Sequence, residues 1–186
     1  MQETNKKVNS CNGECSGCES ASSCSVNNFQ LKLNEYSHIK TIIGVVSGKG
    51  GVGKSMISSL LAVTLAEKGL NVGIMDADIT GPSIAKTFNV KEKAYGQNNL
   101  IYPHITEKYN IKVMSSNMLL ENDDDPIVWR GSLISNLVKQ FYTDVFWGKL
   151  DVLLIDMPPG TGDVALTTFQ SIPLDGIVMV TTPQDL

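Results

Sequence analysis

The sequence predicts an α/β domain, a mainly parallel sheet with helices on both faces, behind a flexible cysteine-rich N-terminal tail. Three observations predict it. Short β-branched apolar runs alternate with helical periods, and strands joined through helices imply right-handed crossovers and parallel pairing. A glycine-rich turn stands between the first apolar run and the first helical period. All four cysteines fall within the first 24 of 186 residues, in a stretch almost without apolar side chains.

Residues 1–28 read as the tail, and Phe29 to Lys40 as a connector. The domain is expected over 38–186. Thr41-Ile-Ile-Gly-Val-Val46 reads as a buried strand from its β-branched content. Lys54 to Lys68 reads as a helix, with Ile57, Leu60, Leu61 and Leu65 on one face and Gly69 as a left-handed cap. Val72 to Met75 is a second strand, ending in Asp76-Ala-Asp78. Pro82 suits the first turn of a helix. Residues 89–110 are rich in Asn and Lys without a period, which predicts loops and a short irregular hairpin. Ile111 to Met114 is a third strand, and Asn122 to Pro126 a solvated acidic turn. Leu133 to Phe146 reads as a helix, with Leu133, Leu137, Phe141 and Val145 spaced by four. Asp151 to Ile155 and Gly176 to Val180 are further strands.

Composition removes several functions. Lys plus Arg is 15 against 19 Asp plus Glu, a net charge of −4, and Arg130 is the single arginine. A nucleic-acid partner that relies on counterion release is therefore not expected. Apolar stretches such as Leu150 to Ile155 fall far short of a membrane span. The polar N-terminus lacks the apolar core of a secretion signal, and cysteines confined to a tail do not form a disulfide framework. The cytoplasm is the expected compartment.

Gly48-Lys49-Gly50-Gly51-Val52-Gly53-Lys54-Ser55 fits G-x-x-x-x-G-K-[ST] between a strand and a helix, the context a phosphate loop requires. Its glycines let successive backbone N–H groups turn around an anion, and the helix start adds the positive end of its dipole. ATP with Mg²⁺ is the expected ligand. Lys54 reaches the β- and γ-phosphates, and Ser55 places its hydroxyl on Mg²⁺. Lys49 is a second loop lysine. Its spacing fits the γ-phosphate of its own site, a second subunit, or plain solvation.

Asp156 follows the apolar run Val152–Ile155, as an acid that holds Mg²⁺ through water does. In the turn after it, the Gly160 amide is placed to contact the γ-phosphate. Asp78 is read as positioning the attacking water, Asp76 equally as a strand-end cap or a catalytic acid, and Asp163 as a helix cap. Cys11-x₃-Cys15-x₂-Cys18-x₅-Cys24 offers four thiolates to one soft centre. Zn²⁺ and an iron–sulfur cluster both accept such a set, and the spacing does not separate them. His38 and His104 read as isolated structural or solvated residues.

Residues 48–55 resemble the deviant Walker A loop with a signature lysine, shared by MinD, ParA and the nitrogenase iron protein. Together with Asp76-Ala-Asp-Ile-Thr-Gly-Pro-Ser83, Ile111–Ser115, Val128-Trp-Arg-Gly131, Asp156-Met-Pro-Pro-Gly-Thr-Gly-Asp163 and Val180-Thr-Thr-Pro-Gln184, they resemble the Mrp/ApbC family of P-loop ATPases that carry iron–sulfur clusters to apoproteins. The resemblance implies ATP hydrolysis to ADP and phosphate, a homodimer in the full-length protein, and apoprotein recipients. It implies that Lys49 reaches the partner's nucleotide, that Asp78 lies in switch I, and that Asp156 to Gly160 form switch II. Cys15, Cys18 and Cys24 match the tail of eukaryotic-type members, implying a cluster of the 4Fe-4S type, while Cys11 stands nearer than the family's first cysteine. Ser132 stands where the family has proline. The family also continues past the position of Leu186 to a C-terminal Cys-Pro-x-Cys pair, so a C-terminally truncated domain is expected here. The alternatives are a positioning ATPase of the MinD/ParA type and a zinc-tailed nucleotide switch.

Overall fold

The structure, a computed structural model, describes residues 30–79, 81–119, 131–160 and 162–183. Strands β1 (His38–Ser47), β2 (Val72–Asp76), β6 (Lys112–Met114), β7 (Lys149–Asp156) and β8 (Gly176–Val180) pair in parallel in the order β6-β2-β7-β1-β8. The two-residue strand β5 (His104–Ile105) adds an antiparallel edge on β6. Helices α1 (Lys54–Glu67), α2 (Ile84–Thr87), α3 (Gly131–Thr143) and α4 (Asp163–Ser171) connect the strands.

β7 shows why the apolar runs become central strands. Its neighbours are β2 and β1, and its side chains alternate between two cores. Leu153 and Ile155 join Ile134, Val138 and Phe141 of α3 on one face, while Val152 and Leu154 join Ala62 of α1 and Ile84 of α2 on the other. A strand buried on both faces has no polar side to show, so it reads as a continuous run.

Two helix faces differ from expectation. Leu61 and Leu65 pack on the core as expected, but Leu60 is exposed, and α1 also lays Lys54, Ser58 and Ala62 inward. Small side chains at intervals of four bring this helix close to the sheet, and leucine content alone misplaces Leu60. In α3 the buried stripe is Ile134, Leu137, Val138, Phe141 and Tyr142, while Leu133 is exposed. A strict spacing of four drifts about 40° per step around an α-helix, so alternating threes and fours define the face. The helix stops at Thr143. Val145 instead bridges to Ile101, and the Phe146 N–H bonds the Ile101 carbonyl at 2.8 Å.

Other boundaries follow from local chemistry. Gly69 ends α1 at φ +83°, with its N–H on Ala66 O and the Leu70 N–H on Leu65 O, as expected of a left-handed cap. Pro82 lies before the Ser83 N-cap of α2 rather than in its first turn, and Gly162, not Asp163, is the N-cap of α4. The irregular stretch contains a hairpin, β3 (Tyr95–Gln97) with β4 (Leu100–Tyr102), turned by Asn98 and Asn99 at φ 54° and 61°. The connector is docked: Leu31 and Leu33 pack on the core, and Asn34 donates to the carbonyls of Thr143 and Val145.

A candidate nucleotide site at the carboxyl ends of the strands

β1 delivers the glycine loop, β2 delivers Asp76 and Asp78, and β7 delivers Asp156, all at the carboxyl ends of adjacent strands. Open parallel sheets bind ligands at this rim. Gly51 and Gly53 hold φ values of +75° and +83°, a conformation that side-chain-bearing residues rarely adopt. Gly53 is the N-cap of α1, which has no side-chain cap and no acid in its first turn. The first amides of this 14-residue helix are thus left for an anion.

A cavity of about 250 Å³ opens over the loop. Lys49, Gly50, Gly51, Gly53, Lys54, Ser55 and Asp78 line it, with Ser47, Met56 and Pro159. Gly48, Val52, Asp156 and Gly160 stand outside the lining. A larger groove, about 710 Å³, runs between α1 and the β5–β6 edge past Leu60, Phe88 and Tyr109, and contains none of the loop residues 48–55.

Behind the cavity the charges are buried. Asp156 is fully enclosed and collects three groups from α1. Ser55 Oγ donates to Oδ2 at 2.6 Å, Ser58 Oγ donates to Oδ1 at 2.7 Å, and Lys54 Nζ lies 2.9 Å from Oδ1. The last contact is ionic without hydrogen-bond alignment, so among the described residues the buried ammonium has no aligned acceptor. Such a group calls for an anion with oxygens to spare, and a polyphosphate fits it. Ser55 and Asp156 are hard oxygen donors side by side, the donor set Mg²⁺ prefers.

Asp76 accepts N–H groups from Asp78, Ser83 and Ile84 at 3.0–3.1 Å and the Ser115 hydroxyl at 3.3 Å. These contacts match the capping reading rather than the catalytic one. Burial pushes its carboxyl up to about 7, and the charge of Asp156 adds to this against the pull of the backbone donors. Asp78 is half-buried on the cavity wall, its Oδ1 accepting the Gly81 N–H at 3.2 Å. The Gly160 amide donates to the Ser47 carbonyl at 2.9 Å, so it reaches a γ-phosphate only if that bond opens.

Some expected residues are not brought together. The four cysteines, the acidic turn 122–125 and Arg130 lie outside the described residues. Among those described, no cluster of three or more His, Cys, Asp or Glu side chains can hold a metal, and no helix is long and apolar enough to cross a membrane. His38 lies on β1, and His104 is paired rather than isolated, its Nδ1 3.1 Å from Glu92. Ser58 was invisible to sequence reasoning, because a helical serine carries no signal of what its hydroxyl meets.

A family described as ParA, NUBPL iron-transfer P-loop NTPase, matches residues 38–186. The chain belongs to this family. It is 44% identical to an iron–sulfur cluster carrier protein of Clostridium perfringens, over 94% of this chain and 67% of the relative. It is 45% identical to one of Methanococcus maripaludis, over 95% of this chain and 63% of the relative. The chain thus spans about two thirds of the length of these relatives. Among solved structures, a nucleotide-binding protein of Archaeoglobus fulgidus, in complex with ADP and with cobalt, shares 46% identity at a TM-score of 0.70, covering 80% of this chain and 56% of that one. The cell-division ATPase MinD of Pyrococcus furiosus, 22% identical at a TM-score of 0.55 over 78% of this chain and 60% of its own, shares the fold. These matches bear out the α/β P-loop fold and the family resemblance.

Proposed function

We propose that this chain is the nucleotide-binding part of a cytoplasmic iron–sulfur cluster carrier that hydrolyses ATP and passes clusters to apoproteins. The observation that carries the nucleotide half is the buried Lys54 ammonium, without an aligned acceptor among the described residues, beneath a helix start that has no side-chain cap. The relatives' names support the carrier half.

Hydrolysis adds water across the terminal P–O bond of ATP, giving ADP and inorganic phosphate. In our reading the loop amides of Gly48 to Ser55 cradle the phosphates, Lys54 offsets charge on the β- and γ-phosphates, and Asp78 orients the attacking water. Ser55 directly, and Asp156 through water, would hold Mg²⁺, which when bound neutralises charge shared by the β- and γ-phosphates. The Gly160 amide, released from Ser47, supplies a further donor. Lys49 serves the nucleotide of a second subunit in a homodimer. The cargo is an iron–sulfur cluster, 4Fe-4S in type, held by Cys11, Cys15, Cys18 and Cys24.

Two measurements test this. Lys54→Ala is expected to weaken Mg-ATP binding about 100-fold, while Asp78→Ala keeps binding and slows turnover. Unchanged affinity in Lys54→Ala removes the phosphate-loop assignment. Anaerobic reconstitution should load iron with acid-labile sulfide, and Cys15→Ala or Cys18→Ala should lose it. Stoichiometric zinc without sulfide would replace the carrier reading with the zinc-tailed switch.

A further inference from the structure

Asp156 is fully enclosed at the rim, and its three contacts differ in what becomes of them when a nucleotide binds. Lys54 turns toward phosphate oxygens and Ser55 toward the cation. Only Ser58 has nothing else to do. It is fully buried one turn further along α1, between the helix and β7. Its hydroxyl has a single proton and two acceptors in reach, Asp156 Oδ1 at 2.7 Å and the Lys54 carbonyl at 3.1 Å. The shorter, charge-assisted contact takes the proton.

We infer that Ser58 is a positioning residue for the cation site: its hydroxyl fixes the Asp156 carboxylate in the orientation that meets Mg²⁺ once Lys54 and Ser55 have moved to the nucleotide. The inference rests on the nucleotide-site reading above and extends it. Without Ser58 the bound state holds an enclosed carboxylate with one oxygen unpartnered, free to rotate about its own side-chain torsion. The cost falls on cation binding and not on the phosphate contacts, which Asp156 does not make. Partners that orient a carboxylate of a metal site carry about tenfold or more in metal affinity.

The neighbouring Ser59 provides a matched control. It is also buried on α1, but among the described residues its hydroxyl bonds only the Ser55 carbonyl, at 2.8 Å, within the helix.

The experiment uses the whole chain and a fluorescent ADP analogue, titrated first in EDTA and then against Mg²⁺. In EDTA, Ser58→Ala should bind the analogue within about twofold of the unsubstituted chain. The Mg²⁺ concentration giving half of the cation-dependent gain in affinity should rise about tenfold. Ser58→Thr, which keeps the hydroxyl, should return it to within about twofold, and Ser59→Ala should leave it unmoved. A wild-type Mg²⁺ requirement in folded Ser58→Ala overturns the inference, as does an equal rise in Ser59→Ala. If Ser58→Ala does not fold, Ser58→Cys keeps the volume with a weaker donor and should show a smaller rise. A wild-type requirement in that variant is equally decisive against it. If the unsubstituted chain binds no nucleotide in either buffer, the nucleotide-site reading falls and takes this inference with it.

Discussion

Strand β7 carries a lysine-paired aspartate near each end, and the two pairs behave as opposites. Toward its start, Lys40 Nζ meets Asp151 Oδ1 at 2.6 Å, with the Lys40 side chain 67% exposed. At its finish, Lys54 Nζ lies 2.9 Å from Asp156 Oδ1, with 7% and 0% exposure. The shorter contact is the less consequential one. Water screens an exposed pair, and its long side chains lose entropy in holding one geometry. An enclosed pair costs several kcal/mol to desolvate, so its presence points to a task other than stability. Asp151 is also satisfied within the fold, through the Asn71 backbone and side chain, whereas the Lys54 ammonium lacks an aligned acceptor among the described residues. Residue type and distance do not separate structural from functional charges here. Enclosure and unfinished hydrogen bonding do.

The contrast breaks most readily at Asp156. Asp156→Ala leaves a buried ammonium without its counter-charge and removes the carboxylate acceptor of Ser55 and Ser58, and should lower unfolding free energy by about 3–5 kcal/mol. Asp151→Ala should shift the urea midpoint far less. Comparable losses in the two variants would erase the distinction.

A smaller effect is expected from pH. The Asp76 carboxyl, raised to about 7 from its ordinary 3.8, binds its proton more tightly in the folded chain than in the unfolded one. Its contribution to stability is full below about 4 and declines as pH rises toward about 7. Asp76→Asn should abolish that slope, read from urea midpoints at pH 4.5 to 8. Asp151 runs the other way. The Lys40 hydrogen bond first, and then the Asn71 N–H, hold its carboxyl down to about 2, so its contribution is present above its ordinary range and lost as pH falls through about 2.

The smallest effect belongs to Lys40→Ala. At neutral pH and physiological salt its unfolding midpoint should stay close to that of the unsubstituted chain, and the small difference should vanish as pH falls through about 2. A large loss at pH 7 that survives added salt would show that exposure misjudges this pair.

Much of the fold was legible because its strands are buried on both faces and its phosphate loop has a fixed spacing in a fixed context. Thr41–Val46 and Val72–Met75 fall within observed strands for that reason, and Gly176–Val180 coincides with a strand although its Ile177 and Met179 are exposed. The two-residue strand β5 is too short to carry a period, and the Asn98-Asn99 turn lacks the glycine that marks such hairpins most strongly. Helix faces were legible in part: Leu61 and Leu65 pack on the core, while Leu60 and Leu133 are exposed and Ser58 and Ala62 are buried in α1. At the site, Lys49, Lys54, Ser55 and Asp78 could be read from spacing, and the structure gathers all four on one cavity. Ser58 and the capping task of Asp76 could not, since both depend on which groups the topology brings near.

The sheet order has a consequence for how the chain is made. β1 is flanked by β7 and β8, and the groups that join Ser55 to Asp156 lie 101 positions apart. A ribosome adds roughly 5–20 residues per second, so the first strand and the glycine loop wait on the order of ten seconds for the strands that flank them. During that interval Thr41–Val46 is an unpaired apolar segment of high β-propensity, the kind that associates with copies of itself. Expression of this protein should therefore respond to translation speed and to chaperones that shield nascent strands, independently of nucleotide or metal supply.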